Sequence, residues 1–285
     1  MLKTRIDRLL DEINECVAKS ERQIDDIQLV AITKTHSVET IKEALFNGIK
    51  HIGESRVQES EEKIPELIGL YETFHFVGHL QSNKINKLLA LKPALIHSID
   101  KFSTAERLNQ AIERMNSECG FASLTTVCEK NTSQPPPNPS NLEGRLFGAT
   151  PQSPNHSSKA CLTTTEGRLY RQDVLIEVNT SGEDSKNGIK PSECAELIKR
   201  IDELEYVNVK GLMTIGALTE NEDEVRRCFA LLKELFEIEK DKRYITSEMK
   251  YLSMGMSSDY QIAIQEGAHI IRLGSIIFGE RNNLK

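Results

Sequence analysis

Eight short apolar runs alternate along the chain with amphipathic segments of helical length, and this alternation constrains the fold most strongly. The runs occupy residues 27–33, 49–52, 73–77, 95–99, 174–178, 209–214, 251–254 and 270–273. The clearest helical patterns occupy residues 2–17, 37–47, 101–115, 191–204, 221–239 and 258–266. Apolar strands separated by helices are typical of a parallel sheet buried on both faces. Eight such units predict an α/β fold, a (β/α)8 barrel of the TIM type, with an open doubly wound sheet as the alternative.

Residues 117–168 interrupt this pattern. They lose the apolar periodicity and are rich in Pro, Ser, Thr and Asn, as in QPPPNPSN and TPQSPNHSS. A segment of this composition buries too little apolar area to offset the entropy lost on ordering. We therefore predict a disordered, low-complexity insertion between the fourth barrel helix and the fifth strand of a single domain that spans residues 1–285. Its role is either regulatory or dispensable.

Composition and charge narrow the class of protein. The formal net charge is −7, and an acidic chain lacks the basic face that phosphate neutralisation needs, so we expect no nucleic-acid partner. No window approaches the roughly 20 apolar residues of a membrane span, and the first helix carries acids from Asp7 onward, unlike a secretory or transit peptide. The 6 cysteines include no CxxC pair, so we expect no metal site and a reducing compartment. We expect a cytoplasmic protein, with the mitochondrion as a second location.

In a barrel, functional groups lie where the strands end and the loops lead into the following helices. Lys34 directly follows the first apolar run, Ser55 follows the second and Thr214 ends the sixth. Burial at the end of a strand favours the neutral amine that forms a Schiff base. The alternative for Lys34 is a side chain that extends into solvent.

The last two strands carry a different set of groups. Arg272 interrupts an apolar strand, and a buried guanidinium is costly unless it meets a carboxylate or a ligand. Ser257 follows the seventh strand, and Gly274 and Ser275 follow the eighth, which are the usual positions of a phosphate site in barrels. Together with Lys34 these loops favour a phosphorylated carbonyl ligand, and pyridoxal 5′-phosphate fits.

Seven motifs in order resemble one known family. They are LVAITKTHS (29–37), HIGESRVQE (51–59), HFVGHLQSNK (75–84), VNTSGEDSKNG (178–188), GLMTIG (211–216), LSMGMSSD (252–259) and IRLGSIIFGER (271–281). With these motifs the chain is similar to the pyridoxal phosphate homeostasis protein family, whose barrel resembles the N-terminal domain of alanine racemase. The resemblance covers the whole chain except the insertion.

The resemblance implies a role for particular residues. Lys34 would be the Schiff-base lysine, Arg272 would face the pyridine nitrogen, and Ser257 with the backbone of Gly274 and Ser275 would hold the phosphate. The candidate cofactor-binding residues are therefore Lys34, Ser257, Arg272, Gly274, Ser275, Thr214 and Ser55. The family often carries asparagine at the position of Ser55. Lys186, in a loop beside the fifth strand, is either a second cofactor site or a solvated lysine.

Two arguments separate a carrier from an enzyme. An arginine at the ring nitrogen keeps that nitrogen unprotonated, which weakens the cofactor as an electron sink. Racemisation also needs a second acid/base group, which alanine racemases take from a C-terminal domain, and we expect no such domain after the eighth strand. The prediction is a monomeric, non-enzymatic protein that buffers pyridoxal phosphate or delivers it to apo-enzymes that depend on it. The alternative is an amino-acid racemase or lyase of the alanine racemase type.

Overall fold

A computed structural model of the protein describes residues 2–20, 22–129 and 169–279. Eight parallel strands follow one another around a closed barrel. They are β1 (Gln28–Ile32), β2 (His51–Glu54), β3 (Thr73–Phe76), β4 (Leu95–Ile99), β5 (Gln172–Glu177), β6 (Val207–Met213), β7 (Tyr251–Ser253) and β8 (Ile270–Leu273). The barrel is closed because β1 pairs with β8, with Val30 opposite Arg272. The predicted (β/α)8 barrel is confirmed, and the open doubly wound sheet is excluded.

One helix precedes the barrel, and at least one helix follows each strand. These helices are α1 (Leu2–Lys19), α2 (Val38–Phe46), α3 (Val57–Leu67), α4 (Ile85–Ala90), α5 (Phe102–Glu129), α6 (Cys194–Asp202), α7 (Glu222–Lys240), α8 (Tyr260–Gln265) and α9 (Ser275–Phe278). Within the described residues, no helix combines the length and the apolar character that crossing a bilayer requires.

Burial on both faces explains why the strands read as continuous apolar runs. All five residues of β4 and all four of β8 are buried. One apolar cluster of the core combines residues from five strands: Val30, Leu95, Leu175, Met213 and Ile270. Burying each such aliphatic side chain contributes roughly 1.5–3 kcal/mol. The closed and fully buried sheet leaves polar chemistry to the loops at the two barrel mouths and to a few interior positions.

Three barrel helices, α3, α4 and the four-residue α9, are absent from the sequence prediction. The segment of α3, VQESEEKIPEL, is strongly charged and contains Pro65, so its helical pattern is easily missed. In the structure it buries Val57, Ile64 and Leu67 against the barrel while its charged residues face outward. The short α4 covers only one and a half turns, which is too short for periodicity to stand out.

Contacts divide the chain into two compact units, one of Met1–Ile112 with Arg171–Lys285 and one of Glu113–Tyr170. In the second unit, the side chain of Asn116 donates to the carbonyl of Tyr170 and accepts its amide, both at 3.0 Å. This reciprocal pair joins the helix to the chain segment that leads back into β5.

The helix that leads into the predicted insertion is longer than predicted. The structure continues α5 to Glu129, so the helix end at residue 115 is wrong and residues 117–129 are helical. In the sequence, the apolar residues Phe121, Leu124 and Cys128 are three and four positions apart, which is a helical spacing. The polar composition of residues 117–168 as a whole conceals this short pattern. The remainder of the predicted disordered insertion, residues 130–168, lies outside the described residues.

Candidate functional site

A cavity of about 390 Å³ opens at the barrel mouth where β1, β7 and β8 end. Its lining consists of Ile32, Lys34, His36, Met256, Ser257, Ser258, Arg272, Gly274, Ser275 and Gly279. Five of the seven predicted cofactor-binding residues thus surround one space: Lys34, Ser257, Arg272, Gly274 and Ser275. A larger cavity of about 660 Å³ is lined by Gln28, His51 and Tyr251, which begin their strands, and so lies at the opposite mouth.

Hydrogen bonds hold the backbone on both sides of Lys34. On one side, Lys63 Nζ donates to the carbonyl of Thr33 at 3.0 Å. On the other, the amide of Thr35, whose φ is 68°, donates to Glu59 Oε2 at 2.8 Å. A left-handed conformation at a β-branched residue is unfavourable, so the surrounding bonds must maintain it. Lys34 therefore extends from a restrained segment rather than from a loose loop.

These bonds belong to a buried ion cluster behind the first strand. Lys63 Nζ donates to Glu54 Oε1 at 3.0 Å and to Glu59 Oε2 at 2.9 Å, while Thr33 Oγ1 donates to Glu54 Oε1 at 2.6 Å. Glu54 is fully buried, and burial raises the pKa of its carboxyl, against the effect of Thr33 and Lys63. Among the described residues, Glu54 Oε2 has no hydrogen-bond partner. The charge on Glu54 therefore depends mainly on Lys63.

Ser257 connects the loops that follow the last two strands. Its Oγ accepts the amide of Gly274 at 3.3 Å and the amide of Ile276 at 3.4 Å. Within the described part of the chain, the hydroxyl has no acceptor for its own proton. Because Ser257 and Gly274 both line the cavity, this hydroxyl is a donor available to an anion there.

Gly274 leaves room in the cavity wall. A Cβ built on this residue would lie 3.5 Å from the carbonyl oxygen of Ile32 and 3.6 Å from its Cβ, which are ordinary contacts. The φ of Gly274 is −123°, so the backbone does not need glycine for a left-handed conformation. The missing side chain instead leaves space beside Ile32, and other atoms can approach the backbone closely at a glycine.

Arg272 is almost completely buried, with 5% of its surface exposed. Its Nη1 donates to Ser253 Oγ at 2.6 Å, and its Nη2 donates to the carbonyl of Thr214 at 2.8 Å. Burial lowers the pKa of its guanidinium to about 10, while Asp259 and Glu177 act in the opposite direction. The sequence argument required a carboxylate or a ligand for this charge, and the hydrogen-bond acceptors that the described residues offer it are the neutral oxygens of Ser253 and Thr214. Asp259 and Glu177 raise the pKa of Arg272 through their charges, from beyond hydrogen-bond distance.

Glu177, at the end of β5, is a titratable group that the sequence analysis did not identify. It is 3% exposed, and burial raises its pKa to about 7. The charge of Asp100 acts in the same direction, and that of Arg272 acts against it. A carboxyl that exchanges its proton near neutral pH therefore lies within the electrostatic range of Arg272.

The other two predicted cofactor-binding residues do not line the cavity. Thr214 supports it indirectly, since its carbonyl accepts from Arg272 and its Oγ1 pairs with Thr180 Oγ1 at 3.0 Å. Ser55 lines a different cavity, of about 530 Å³, together with Arg56 and His79. The strand-end rule selects the correct barrel mouth, but it does not say which loops turn towards the same space.

Two further observations extend the residue list. His36 lines the cavity and stacks on Phe278 with ring centroids 4.4 Å apart, and its position two residues after Lys34 is the signal that could have identified it. Lys186 does not face bulk solvent, because its Nζ lies 2.8 Å from Glu183 Oε1 and donates to the carbonyl of Gly216 at 2.5 Å. No group of three or more His, Cys, Asp or Glu residues suited to a metal ion occurs among the described residues.

Comparison with known proteins bears on this site. Residues 156–282 match the family of the alanine racemase N-terminal domain. A pyridoxal phosphate homeostasis protein of Aquifex aeolicus is 33% identical over 277 residues, which cover 97% of each chain. The chain belongs to the pyridoxal phosphate homeostasis protein family. The human member is 30% identical over 287 residues, covering 96% of this chain and 85% of the human one, so the resemblance found in the motifs is confirmed.

Solved structures agree with this family assignment. PipY of Synechococcus elongatus, in a structure described as having PLP bound, has a TM-score of 0.65 and 26% identity, covering 98% of this chain and 100% of PipY. A protein of unknown function from Bifidobacterium adolescentis reaches a TM-score of 0.73 at 27% identity, covering 97% and 94%. Alanine racemase of Clostridium difficile, at 12% identity and a TM-score of 0.58, shares only the fold, and the match covers 96% of this chain and 57% of the racemase.

Proposed function

We propose that this protein binds pyridoxal 5′-phosphate as a Schiff base on Lys34 and buffers or delivers it, without robust catalytic turnover. The observation that carries the proposal is the single cavity lined by Lys34, Ser257 and Arg272. The amine of Lys34 matches the aldehyde of pyridoxal phosphate, and the hydroxyl of Ser257 matches its phosphate. The guanidinium of Arg272 matches its pyridine nitrogen. The names of the curated relatives and the PLP-bound structure of PipY support the choice of ligand.

Lys34 carries the covalent step. Bound pyridoxal phosphate supplies an aldehyde that reacts with primary amines. The Nζ of Lys34 adds to the aldehyde carbon, a C=N bond forms, and the carbonyl oxygen leaves as water. Lys63 and Glu59 hold the backbone of the neighbouring residues, which limits the positions that the amine can reach.

The phosphate belongs, in this proposal, to the loops after β7 and β8. Ser257 would donate its hydroxyl proton to a phosphate oxygen, because the protein offers that proton no other acceptor within the described residues. Gly274 and Ser275 line the same wall, and the amide of Gly274 donates to the Oγ of Ser257. The space beside Ile32 that Gly274 leaves open admits the phosphate without steric conflict.

Arg272 supports a carrier rather than an enzyme. With a pKa of about 10 it is charged at neutral pH, and a guanidinium has only hydrogen-bond donors. A ring nitrogen that faces it must therefore accept a hydrogen bond and stay unprotonated. An unprotonated ring withdraws electrons weakly, so it stabilises a substrate carbanion poorly.

A visible absorption spectrum of the purified protein with added pyridoxal phosphate tests this proposal. We expect a Schiff-base band in the wild type, and borohydride reduction should attach the label to the peptide that contains Lys34. Lys34→Ala should lose the band and the label, because no other described residue that lines the cavity carries a primary amine. The matched control is Lys186→Ala, which removes a loop lysine from outside the cavity and should retain both. An unlabelled Lys34 peptide in the wild type would rule out the Schiff base.

A racemase or lyase of the alanine racemase type is the second candidate. Two observations favour it, namely the match to the alanine racemase N-terminal domain and the carboxyl of Glu177, whose pKa is about 7. Incubation with single L-amino acids, followed by chiral analysis, separates the two candidates. A carrier should give no more turnover than free pyridoxal phosphate gives, whereas activity that is lost in Lys34→Ala would establish an enzyme.

The remaining parts of the proposal concern the partners and the compartment. The recipients would be apo-enzymes that depend on pyridoxal phosphate, and the carrier would act as a monomer in the cytoplasm, with the mitochondrion as a second location. The acidic net charge of −7 supports the absence of a nucleic-acid partner.

Deleting residues 118–167 should leave pyridoxal phosphate binding intact. The deleted segment comprises the end of α5 and the residues between it and β5. The barrel rule predicts that connections from a helix to the next strand lie at the mouth opposite the strand ends. We expect the affinity, measured by titration of the Schiff-base band, to change less than about twofold, because changes at a surface away from a site usually have small effects. A shortened protein that folds, as judged by circular dichroism, but lacks the band would contradict the proposed position of the insertion.

A further inference from the structure

Arg272 is the first of a series of polar side chains that crosses the barrel interior. Its Nη1 donates to Ser253 Oγ on β7, and this oxygen lies 2.9 Å from His97 Nδ1 on β4. Because β4 and β7 are not neighbours in the barrel, this contact spans the interior. Ser253 and His97 are both 0% exposed, so solvent cannot replace a lost partner.

The series continues to the opposite mouth. His97 Nε2 lies 2.9 Å from His75 Nδ1, and His75 Nε2 lies 2.8 Å from Thr73 Oγ1. Thr73 Oγ1 is in turn 2.7 Å from His51 Nδ1, and His51 lines the cavity at that mouth. We name these five side chains, Ser253, His97, His75, Thr73 and His51, the polar row.

The charge on Arg272 determines the direction of every hydrogen bond in the polar row. A guanidinium only donates, so Ser253 Oγ accepts and has its own proton available for His97 Nδ1. A neutral imidazole has one donor and one acceptor, so His97 donates from Nε2 to His75 Nδ1. By the same rule His75 donates from Nε2 to Thr73, whose hydroxyl donates to His51.

This assignment requires that the two buried histidines are neutral. Burial lowers the pKa of His75 to about 3 and that of His97 well below its ordinary value. In the assigned direction, His75 and His97 each donate once and accept once, so no ring nitrogen is left unsatisfied in a dry interior.

We propose that His97 and His75, acting through Ser253, are positioning residues that hold the guanidinium of Arg272 at the wall of the cavity. In each hydrogen bond of the polar row, the accepting atom lies on the side nearer Arg272. The polar row therefore stabilises both the orientation and the positive charge of the guanidinium. Apolar side chains in the same volume would stabilise neither the orientation of Arg272 nor its charge. The effect on the cofactor rests on the proposed function, but the hydrogen-bond directions do not.

The first experiment uses the protein without pyridoxal phosphate. Long-range proton–nitrogen NMR correlations distinguish the two neutral tautomers of histidine. We expect both His75 and His97 to carry the proton on Nε2. A proton on Nδ1 of either ring would reverse the assigned direction and overturn the proposal.

The second experiment compares two buried serines. Ser253→Ala removes one oxygen, and it leaves Arg272 Nη1 and His97 Nδ1 without their shared partner. We expect the affinity for pyridoxal phosphate to fall about tenfold, as for a lost hydrogen bond to a charged group, and the band of the bound cofactor to shift. Ser60→Ala is the control, because Ser60 in α3 is also 0% exposed but, among the described residues, its hydroxyl bonds only the carbonyl of Arg56, which precedes this helix.

A third variant guards against a folding defect in Ser253→Ala. His75→Phe keeps a ring at the buried position and removes the acceptor for His97 Nε2 at a distance from Arg272. We expect the same spectral shift with a smaller loss of affinity, about threefold. If both variants fold and bind like Ser60→Ala, the positioning role is wrong while the proposed function stands. A wild type without any band would count against the proposed function alone, because the tautomers would still test the polar row.

Discussion

Lys63→Met is expected to lower the free energy of unfolding by about 3–5 kcal/mol, the usual cost of removing one partner from a buried ion pair. Its Nζ lies 3.0 Å from Glu54 and 2.9 Å from Glu59. Glu54 is fully buried, and burial already raises the pKa of its carboxyl, so without Lys63 this residue must ionise at great cost or bind a proton. Urea denaturation at pH 7 measures the change.

A matched exposed pair provides the control. Lys87 and Glu61 lie 2.9 Å apart, but their side chains are 52% and 33% exposed, so Lys87→Met should cost less than about 1 kcal/mol. Combining Lys63→Met with Glu54→Leu should recover most of the loss, because the buried charge is then absent. Equal stability of Lys63→Met and Lys87→Met would show that the cluster does not support the fold.

Acidification should destabilise the protein well above the pH range in which ordinary carboxylates titrate. The unfolded chain protonates His75 and His97 near their ordinary pKa of 6.5, whereas burial lowers the folded-state pKa of His75 to about 3 and that of His97 well below 6.5. The unfolded state therefore binds more protons below this pH, and stability is lost as the pH falls. At about 1.4 kcal/mol per unit, His75 alone costs about 2 kcal/mol between pH 6.5 and pH 5. His97 acts in the same direction, and so does His269, whose pKa burial lowers to about 4.

Glu177 opposes this loss. Burial raises its pKa from 4.5 to about 7, so the folded protein takes up a proton before the unfolded chain does, and it gains stability as the pH falls through this range. Over the same interval the gain is about 2 kcal/mol, which offsets about one of the three histidines, so the wild type still loses stability. Glu177→Gln should remove the gain and increase the loss over this interval by about 2 kcal/mol.

Urea denaturation at several pH values between 6.5 and 5 measures both slopes. His79→Gln is the control, because His79 is exposed and its replacement should leave the wild-type slope unchanged. An identical pH dependence in Glu177→Gln and the wild type would mean that this carboxyl does not titrate in the range.

The fold was predictable because parallel strands buried on both faces are apolar throughout, so each strand can be recognised in the sequence as a separate apolar run. The strand boundaries of β4 and β8 agree with the apolar runs to the residue. The helices were harder to predict, since α3 buries only a narrow stripe and is otherwise charged. A helix whose apolar face is small has little periodicity to detect.

The candidate site was predictable in part, for a related reason. Lys34 and Ser257 follow their strands and Arg272 is the last residue but one of β8, so the barrel rule brings them to one mouth. Ser55 follows the same rule but faces another cavity, because the rule does not specify which way a loop turns. The pairing of Glu54 with Lys63 depends on how a helix packs behind its strand, and no sequence spacing reports that.

The polar row was beyond sequence analysis for a different reason. His75 and His97 stand within apolar strands, where a single histidine carries no information about its partners. Their connection to Ser253 crosses the barrel between strands that are distant in sequence and are not neighbours in the sheet.

Because β1 pairs with β8, Arg272 lies opposite Val30, which belongs to the strand that leads to Lys34. The amine and the guanidinium thus come from the first and the last strand of the barrel. During synthesis on the ribosome, Lys34 emerges long before its counterpart, and the nascent chain has no cavity until the final strand has docked. The vitamin-derived ligand can therefore stabilise the finished barrel by mass action but cannot guide its assembly. Its uptake by a newly made molecule would report that translation and folding are both complete.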